Sequence, residues 1–343
     1  MAKPKKIIVT GGLGYIGSHT VVELQQRGYE VVIADNLSNS SASVADRIGR
    51  ITGETPVLEV LDLSDRTACL RFFNIHADAG AVIHFAAAKA VNESVHKPLH
   101  YYRNNIDALL YVLEGMEAVG CRKLVFSSSC TVYGQPERLP VTEDTPRLEA
   151  MSPYGNTKRI CEDILSDTVK ASQEWKFLAL RYFNPIGAHE SALIGELPNG
   201  VPANLMPYIT QSVAGLRPAL QVFGHDYPTP DGTPVRDYIH VSDLAEAHVA
   251  AMEYLGKPGF SGMDFFNVGT GRGYSVLEVI QSFERATGKK VNYEIKERRQ
   301  GDITQIWADT SKASRLLGWK ACRDLDQMTS SAWKWQENLA RAK

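Results

Sequence analysis

Six short runs rich in β-branched residues, at 6–10, 30–35, 55–60, 81–85, 123–127 and 176–181, punctuate the first half of the chain. Several are almost wholly apolar, as suits strands covered on both faces of a parallel sheet. Helical patterns fall between them at 16–27, 65–76, 99–119 and 154–172. Gly28 and Gly120 stand where two of these helices would stop. The alternation predicts an α/β fold built on a doubly wound parallel sheet.

Beyond residue 181 the texture changes. Residues 184–235 are rich in Pro, Gly and Asn around one helical pattern at 208–216. A helix at 242–255 with Ser242 as its N-cap, a strand at 264–268 and helices at 275–287 and 310–317 follow. This half reads as a smaller C-terminal α/β domain formed by 183–236 and 269–343, supplying a substrate pocket. The first domain would take 1–182 with an interleaved segment near 237–268. The charged residues after Glu337 read as a solvated, frayed end.

The 343 residues leave room for about two domains and a large core. At 44% hydrophobic and 22% charged, the chain reads as soluble and globular rather than disordered. A net charge of −2 without a long basic run excludes nucleic acid as an expected partner. No stretch approaches the roughly 18 apolar residues of a membrane span, and nothing at the start resembles a signal peptide. Cys69, Cys121, Cys130, Cys161 and Cys322 form no Cys-x-x-Cys pair and leave an odd one over. Buried thiols in a reducing compartment are expected, with no disulfide frame and no metal site. The expected location is the cytoplasm.

A glycine-rich turn, Thr10-Gly11-Gly12-Leu13-Gly14-Tyr15-Ile16-Gly17, joins the first strand to the first helix. Glycines there let the backbone approach a pyrophosphate, and the helix N-terminus offers free amides and a positive dipole end. With the strand before and the helix after, Gly11, Gly14 and Gly17 read as a dinucleotide-binding Rossmann turn. Asp35 ends the second strand, placed to bond the adenosine ribose and repel a 2′-phosphate, and no Arg follows in 36–43. NAD is therefore favoured over NADP. The alternative is that Asp35 merely caps the strand end. Asp62, just after the third strand, is placed to meet the adenine amino group.

Ser127, Ser128 and Ser129 bring a polar triplet to the C-terminal end of the fifth strand, where ligands of such sheets sit. Tyr154 and Lys158 are four apart on the next helix and share a face. A free phenol titrates near pH 10, too high for a base at neutrality. A neighbouring Lys158 ammonium and an oxidised nicotinamide would lower that value. Tyr154 is thus the candidate acid–base, Ser129 the holder of the reacting hydroxyl, and Lys158 the group that also bonds the nicotinamide ribose. The alternative makes Tyr154 a buried aromatic and Lys158 a surface charge.

The strings TGGLGYIGSH, DNLSNS, HFAAAKAVNES, SSSCTVYG, PYGNTK, RYFNPIGAHESALIGE, NLMPYI, VFGHDYPTPDGTPVRDYIHV and FNVGTGRGYSV carry a resemblance over residues 6–335. The chain resembles the extended short-chain dehydrogenase/reductase family, and within it the UDP-glucose (UDP-galactose) 4-epimerases. The resemblance implies that Tyr15, Ile16, Asn36, Ser38, Asn39, Ser40, Asp62 and Leu63 line NAD. It extends that lining to Phe85, Ala86, Ala87, Lys89, Asn104, Ser127 and Tyr182. Lys89 suits a pyrophosphate as a point charge, unless it is only a solvated loop lysine. Phe183, Asn184, Asn204, Leu205, Gln221, Val222, Phe223, Arg236, Arg299 and Asp302 would line the UDP-hexose beside Ser129 and Tyr154.

The implied reaction interconverts UDP-glucose and UDP-galactose without net redox change, by oxidation and reduction at carbon 4. The keto sugar turns over while its UDP anchors it, and NAD stays bound between turnovers. A homodimer is implied, through helices near 99–119 and 154–172. Rival readings are a UDP-N-acetylglucosamine or UDP-pentose 4-epimerase, a nucleotide-sugar 4,6-dehydratase, a UDP-sugar dehydrogenase or decarboxylase, and a non-catalytic NAD sensor. The dehydratases carry an Asp-Glu pair where this chain has Cys130 and Thr131, which argues against water elimination. Ala88 stands where the family often has Leu. Ile306 occupies a place where a large residue is associated with excluding N-acetyl groups and a small one with admitting them.

Overall fold

The structure is a computed structural model that describes residues 6–299 and 302–341. Its first half runs β1 (Lys6–Thr10), α1 (Tyr15–Gln26), β2 (Glu30–Asp35), α2 (Ser43–Thr52), β3 (Val57–Val60), α3 (Arg66–Ile75) and β4 (Ala81–His84). Helices α4 (Val91–His96), α5 (Pro98–Tyr102) and α6 (Ala108–Ala118) lead to β5 (Lys123–Ser129), α7 (Pro153–Ala171) and β6 (Lys176–Tyr182). Then come β7 (Asn184–Ile186), α8 (Leu205–Val213), β8 (Leu220–Phe223), β9 (Val235–His240), α9 (Val241–Tyr254) and β10 (Gly262–Val268). The remainder is β11 (Gly273–Ser275), α10 (Val276–Thr287), β12 (Tyr293–Lys296), β13 (Gln305–Ile306), α11 (Ser311–Leu317) and α12 (Leu325–Arg341).

Seven parallel strands form one sheet in the order β3-β2-β1-β4-β5-β6-β10. The order reverses between β1 and β4, so the loops that follow them diverge and open a crevice at their C-terminal ends. The apolar strands bury both faces. Val21, Val22 and Leu24 of α1 with Leu244, Val249 and Met252 of α9 cover one side. Phe72 and Phe73 of α3, Leu109, Val112 and Met116 of α6 and Leu165 of α7 cover the other. A smaller sheet gathers β7, β11 and β13 on β9, and β8 pairs with β12. Residues 237–240, which the sequence assigns to the first domain, thus lie in the small sheet, while 262–268 join the large one.

Four local features differ from the sequence reading. The helix expected over 99–119 is interrupted by a wide π turn, Arg103–Asp107. That turn lets Asn105 donate to Ala88 O at 3.0 Å and Thr157 Oγ1 at 3.0 Å while accepting from Ala88 N at 2.8 Å. Helix α2 was not anticipated, although Ala45 and Ile48 pack it onto the core. His240, not Ser242, caps α9, its Nδ1 accepting from Ser242 N at 3.0 Å. The expected frayed end is α12, which buries Met328, Ala332 and Trp335 and continues to Arg341; residues 342 and 343 lie outside the described residues.

Gly115 of α6 shows packing outweighing propensity. Replacing a mid-helix glycine by alanine ordinarily gains up to about 1 kcal/mol. A Cβ at Gly115 would lie 2.3 Å from Cδ2 of the fully buried Phe73. Overpacking of that kind costs about 1–3 kcal/mol. Gly115→Ala should therefore lower the urea midpoint, and a raised midpoint would show that the Phe73 ring moves aside freely.

Candidate active site

Residues 11–17, 35–40, 62–63, 85–89, 127–129 and 182–184 all lie at or just beyond the C-terminal ends of β1 to β6, so the topology gathers them at one edge of the large sheet. The glycine turn is shaped by close approach. Gly11 has φ +66°, and a Cβ there would stand 2.9 Å from Ala86 N, where the β1 and β4 loops meet. A Cβ on Gly17 would lie 2.3 Å from Gly11 O. Gly14 opens α1 with no side-chain cap and no acid in the first turn. The dipole end and first amides of α1, at Tyr15, Ile16 and Gly17, thus remain available to an anion.

Asp35 does more than await a ligand. Its Oδ2 accepts from Leu13 N at 3.0 Å, and its Oδ1 from Leu37 N at 2.9 Å and Ser40 Oγ at 2.8 Å. The carboxylate thus ties the glycine turn to the 36–40 loop, the strand-end role weighed in the sequence. Oδ2, with a single protein donor, keeps capacity for a sugar hydroxyl. Asn36 Oδ1 accepts from Ser38 N, and Asn39 is exposed in the same turn. Asp62 is exposed, bonding Ser64, whereas Leu63 turns its side chain into the core and can offer only main chain. Phe85 packs on His248 of α9 with ring centroids 4.6 Å apart, Tyr182 on the same imidazole at 5.8 Å, and Ala86 N donates to Thr10 Oγ1. Ala87 is partly buried in this loop, and Asn104, in the π turn, donates to Asn105 Oδ1.

Helix α7 delivers the catalytic candidates. Ser152 caps it, accepting from Gly155 N at 3.2 Å, and Pro153 sets its first turn. Tyr154 and Lys158 follow on one face, with Lys158 Nζ 5.9 Å from the centre of the Tyr154 ring. Lys158 is 4% exposed, donates to Ser127 O at 2.6 Å and lies 4.9 Å over the Phe126 ring. Burial pulls its pKa down to about 8, although the charge of Glu162 pulls the other way. Burial also pushes the Tyr154 phenol far above its usual value, with Tyr182 adding to that and a hydrogen bond to Ser129 opposing it. Among the chain's own groups desolvation dominates and Tyr154 is a neutral phenol at pH 7; the lowering expected from the sequence calls on an oxidised nicotinamide as well as Lys158. The hydroxyls of Ser127 and Tyr182 bond each other. Cys130, next to Ser129, is a neutral thiol whose pKa burial pushes up to about 12.

Sequence reasoning missed what seats this helix. Glu162, fully buried one turn beyond Lys158, accepts from Ser128 Oγ at 2.6 Å and from Arg181 Nε and Nη2 at 2.9 and 2.8 Å. Arg147 adds a third donor at 3.2 Å. A lone arginine inside the apolar run of β6 was the available signal, since a charge there needs a partner. His84 was also passed over: it is buried against Thr10 and Phe126, and burial, then the nearby Lys158 charge, lowers its pKa to about 3.

In the loop after β12, Arg299 lies 4.5 Å over the Phe223 ring and donates to Asp302 Oδ2 at 3.2 Å. Arg236 donates to the carbonyls of Val235, Ile303 and Thr304. Both arginines oppose the burial that pushes Tyr238 up to about 12, so their charges share one neighbourhood. Asn204, just before α8 and Leu205, donates to Glu196 Oε1 at 2.6 Å. Phe183 is buried with Ile306, Val132 and Tyr133, and Asn184 opens β7. Gln221 is exposed on β8, whereas Val222 points into the core and leaves only its main chain for a ligand. Lys89 Nζ lies 3.6 Å from Glu196 Oε1 rather than free in solvent. Among the described residues no cluster of His, Cys, Asp or Glu could hold a metal.

Residues 7–269 match the family model described as the NAD dependent epimerase/dehydratase family. The chain belongs to this family. Among its relatives is the UDP-glucose 4-epimerase of Bacillus subtilis (strain 168), 54% identical over 332 residues, 97% of each chain. A crystal structure of UDP-glucose-4-epimerase from Stenotrophomonas maltophila with bound NAD and formylated UDP-arabinopyranose is 52% identical. It superposes with a TM-score of 0.95, covering 99% of this chain and 100% of that one. The enzyme from Bifidobacterium longum in complex with NAD+ and UDP gives 46% identity and a TM-score of 0.94, with coverage of 98% and 100%. In this epimerase/dehydratase chain the glycine cradle, the bare N-terminus of α1 and Asp35 fit a dinucleotide.

Lys158 has a consequence for stability. A folded-state pKa near 8 against an ordinary 10.5 means the ammonium costs the fold about 3 kcal/mol below pH 8. The cost fades as pH rises from about 8 towards about 10.5, where the unfolded chain still holds the proton. Lys158→Met also loses the bond to Ser127 O, worth about 1–2 kcal/mol. The variant should be more stable at pH 7 by about 1–2 kcal/mol, with the gain shrinking at pH 10. Urea melts at the two pH values check it; a variant equally destabilised at both would contradict a strained ammonium.

Proposed function

We infer that this protein interconverts UDP-glucose and UDP-galactose with NAD as its cofactor. The observation that carries the reading is Ser129 bonded to Tyr154, with Lys158 buried one turn on and reaching Ser127 O, at the sheet edge that also carries the glycine turn. The names of its near-full-length relatives agree. We propose that the glycine turn, Asp35 and the loops after β2 to β6 hold the dinucleotide. Phe223, Arg236, Arg299, Asp302 and Asn204 would hold the UDP, since arginines suit a diphosphate and an aromatic suits a base. When bound, NAD accepts the hydride from carbon 4 and returns it.

Ser129 orients the 4-hydroxyl, and Tyr154 takes its proton as the carbonyl forms and gives it back on the return. The neutral phenol is already in the form needed to protonate; to act as base it needs positive charge nearby. Lys158, aimed past Tyr154 at Ser127, supplies one such charge and the oxidised nicotinamide another. The inert Cys130 thiol beside Ser129 leaves no strong acid or base there for eliminating water, which favours epimerase over dehydratase. An intact set of three such groups likewise disfavours a non-catalytic sensor.

We further propose a cytoplasmic homodimer. No described helix is long and apolar enough to cross a membrane, and the cysteines are free thiols. Val91, Val95 and Leu99 (77% exposed) line α4 and α5, exposed among the described residues and beside α7, which supports a subunit contact there. Ile306 is buried against Phe183, so its bulk limits space next to the sugar wall and favours the unacetylated hexoses.

A coupled assay should yield UDP-glucose from UDP-galactose without added oxidant. Tyr154→Phe should lower turnover by about 10²- to 10⁴-fold, and unaltered turnover would remove that phenol from the chemistry. Ile306→Ala should raise kcat/KM for UDP-N-acetylglucosamine relative to UDP-glucose, despite a stability loss of about 2–5 kcal/mol from the cavity. An unchanged ratio would take Ile306 out of the specificity argument.

A further inference from the structure

Residues 187–204 carry no helix and no strand beyond a single bridge between Ala188 and Gly195, yet they are tied down on both sides. Long irregular segments in compact domains are uncommon and tend to be functional. Towards the large sheet, Tyr15 OH donates to Gly187 O at 2.7 Å and Asn199 Nδ2 to Ser38 O at 3.3 Å. Lys89 Nζ meets Glu196 at 3.6 Å. These three contacts fall on the start of α1 and on the loops after β2 and β4, so the segment spans the dinucleotide cradle from end to end. Behind it, α12 holds it by Trp335 Nε1 donating to Glu196 O at 3.0 Å, Asn338 Nδ2 donating to Ala192 O at 2.6 Å, and Ser331 Oγ accepting from Ala188 N at 3.1 Å.

Glu196 is the centre of this arrangement. Its side chain is only 9% exposed, against 46% for Lys89. A carboxylate so far out of water is stable only with partners. Its partners are Lys89 and Asn204, which donates at 2.6 Å. One belongs to the loop after β4 and the other to the start of the pocket that takes the UDP. Lys89 has three N–H donors, enough to hold Glu196 and a phosphate oxygen together.

We propose that Glu196 is a positioning residue that clasps segment 187–204 across the dinucleotide cradle, so that NAD leaves only when the clasp opens. The inference rests on the reading of that cradle as an NAD site. It explains how a cofactor that must survive a complete oxidation and return is kept in place, by closure from outside rather than by affinity alone. Asn199, exposed and bonded only at 3.3 Å to Ser38 O, is a weaker second fastening.

The test is the rate at which NAD leaves, not turnover. Protein loaded with NAD is diluted into ethanol and alcohol dehydrogenase, which converts released NAD to NADH and reports it by absorbance. Glu196→Gln should release NAD faster by roughly tenfold or more, and Glu196→Asp should recover part of the retention. The melting temperature of nucleotide-stripped Glu196→Gln should match the parent's, which separates a clasp from a general structural loss. Asn199→Ala should speed release a few fold, and it decides the matter should Glu196→Gln fail to fold. Parental release rates in the variants overturn the clasp while leaving the NAD site standing. A parent protein that binds no NAD overturns the site itself, and the clasp with it.

Discussion

The placing of α7 on the sheet hangs on one buried ion pair. Arg181 at the end of β6 holds Glu162 of α7 through two hydrogen bonds, and Glu162 holds Ser128 at the end of β5. Apolar contacts alone would let a helix slide or roll on a sheet by a fraction of a turn. A carboxylate that must meet a guanidinium and a hydroxyl at once permits neither. Breaking one side of such a pair would leave a buried charge and cost about 3–5 kcal/mol, far more than the pair contributes over apolar residues of the same size. Its worth is therefore register. With Glu162 seated, Lys158 one turn back falls on Ser127 O and Tyr154 a further turn back falls beside Ser129.

Around that fixed helix the environment is unfavourable to charge. Desolvation depresses Lys158, His84 and His248 and raises Tyr154, Tyr182 and Cys130. Left to itself, such a site settles into neutral groups around the one strained ammonium of Lys158. Further charge has to be brought in, which suits a reaction whose cofactor alternates between a positive and a neutral ring. The cost falls on stability, as the strained ammonium of Lys158 shows.

Much of this was legible in the sequence because the relevant signals are local. The strands, α1, the Gly28 and Gly120 stops and the glycine turn follow from periodicity and backbone freedom within about ten residues. What was missed depends on distant partners. Glu162 looks like any helix acid until Arg181, nineteen positions later, is folded against it. The π turn exists because Asn105 reaches Ala88 and Thr157. Helix α12 carried a readable apolar spacing at Leu325, Met328, Ala332 and Trp335, but its charged end disguised it. The dual use of Asp35, holding Leu13 and Ser40 as well as facing the cradle, could not be separated by spacing alone.

The connectivity carries one more consequence. The chain passes from the large sheet to the small one after β6, returns through α9 and β10, and crosses out again to β11. A single covalent link can serve as a hinge, whereas a closing motion of these halves would have to bend the chain at all three crossings together. A sugar nucleotide carries glycosyl–phosphate torsions of its own, so presenting the second face of its ring need not draw on any bend of the host.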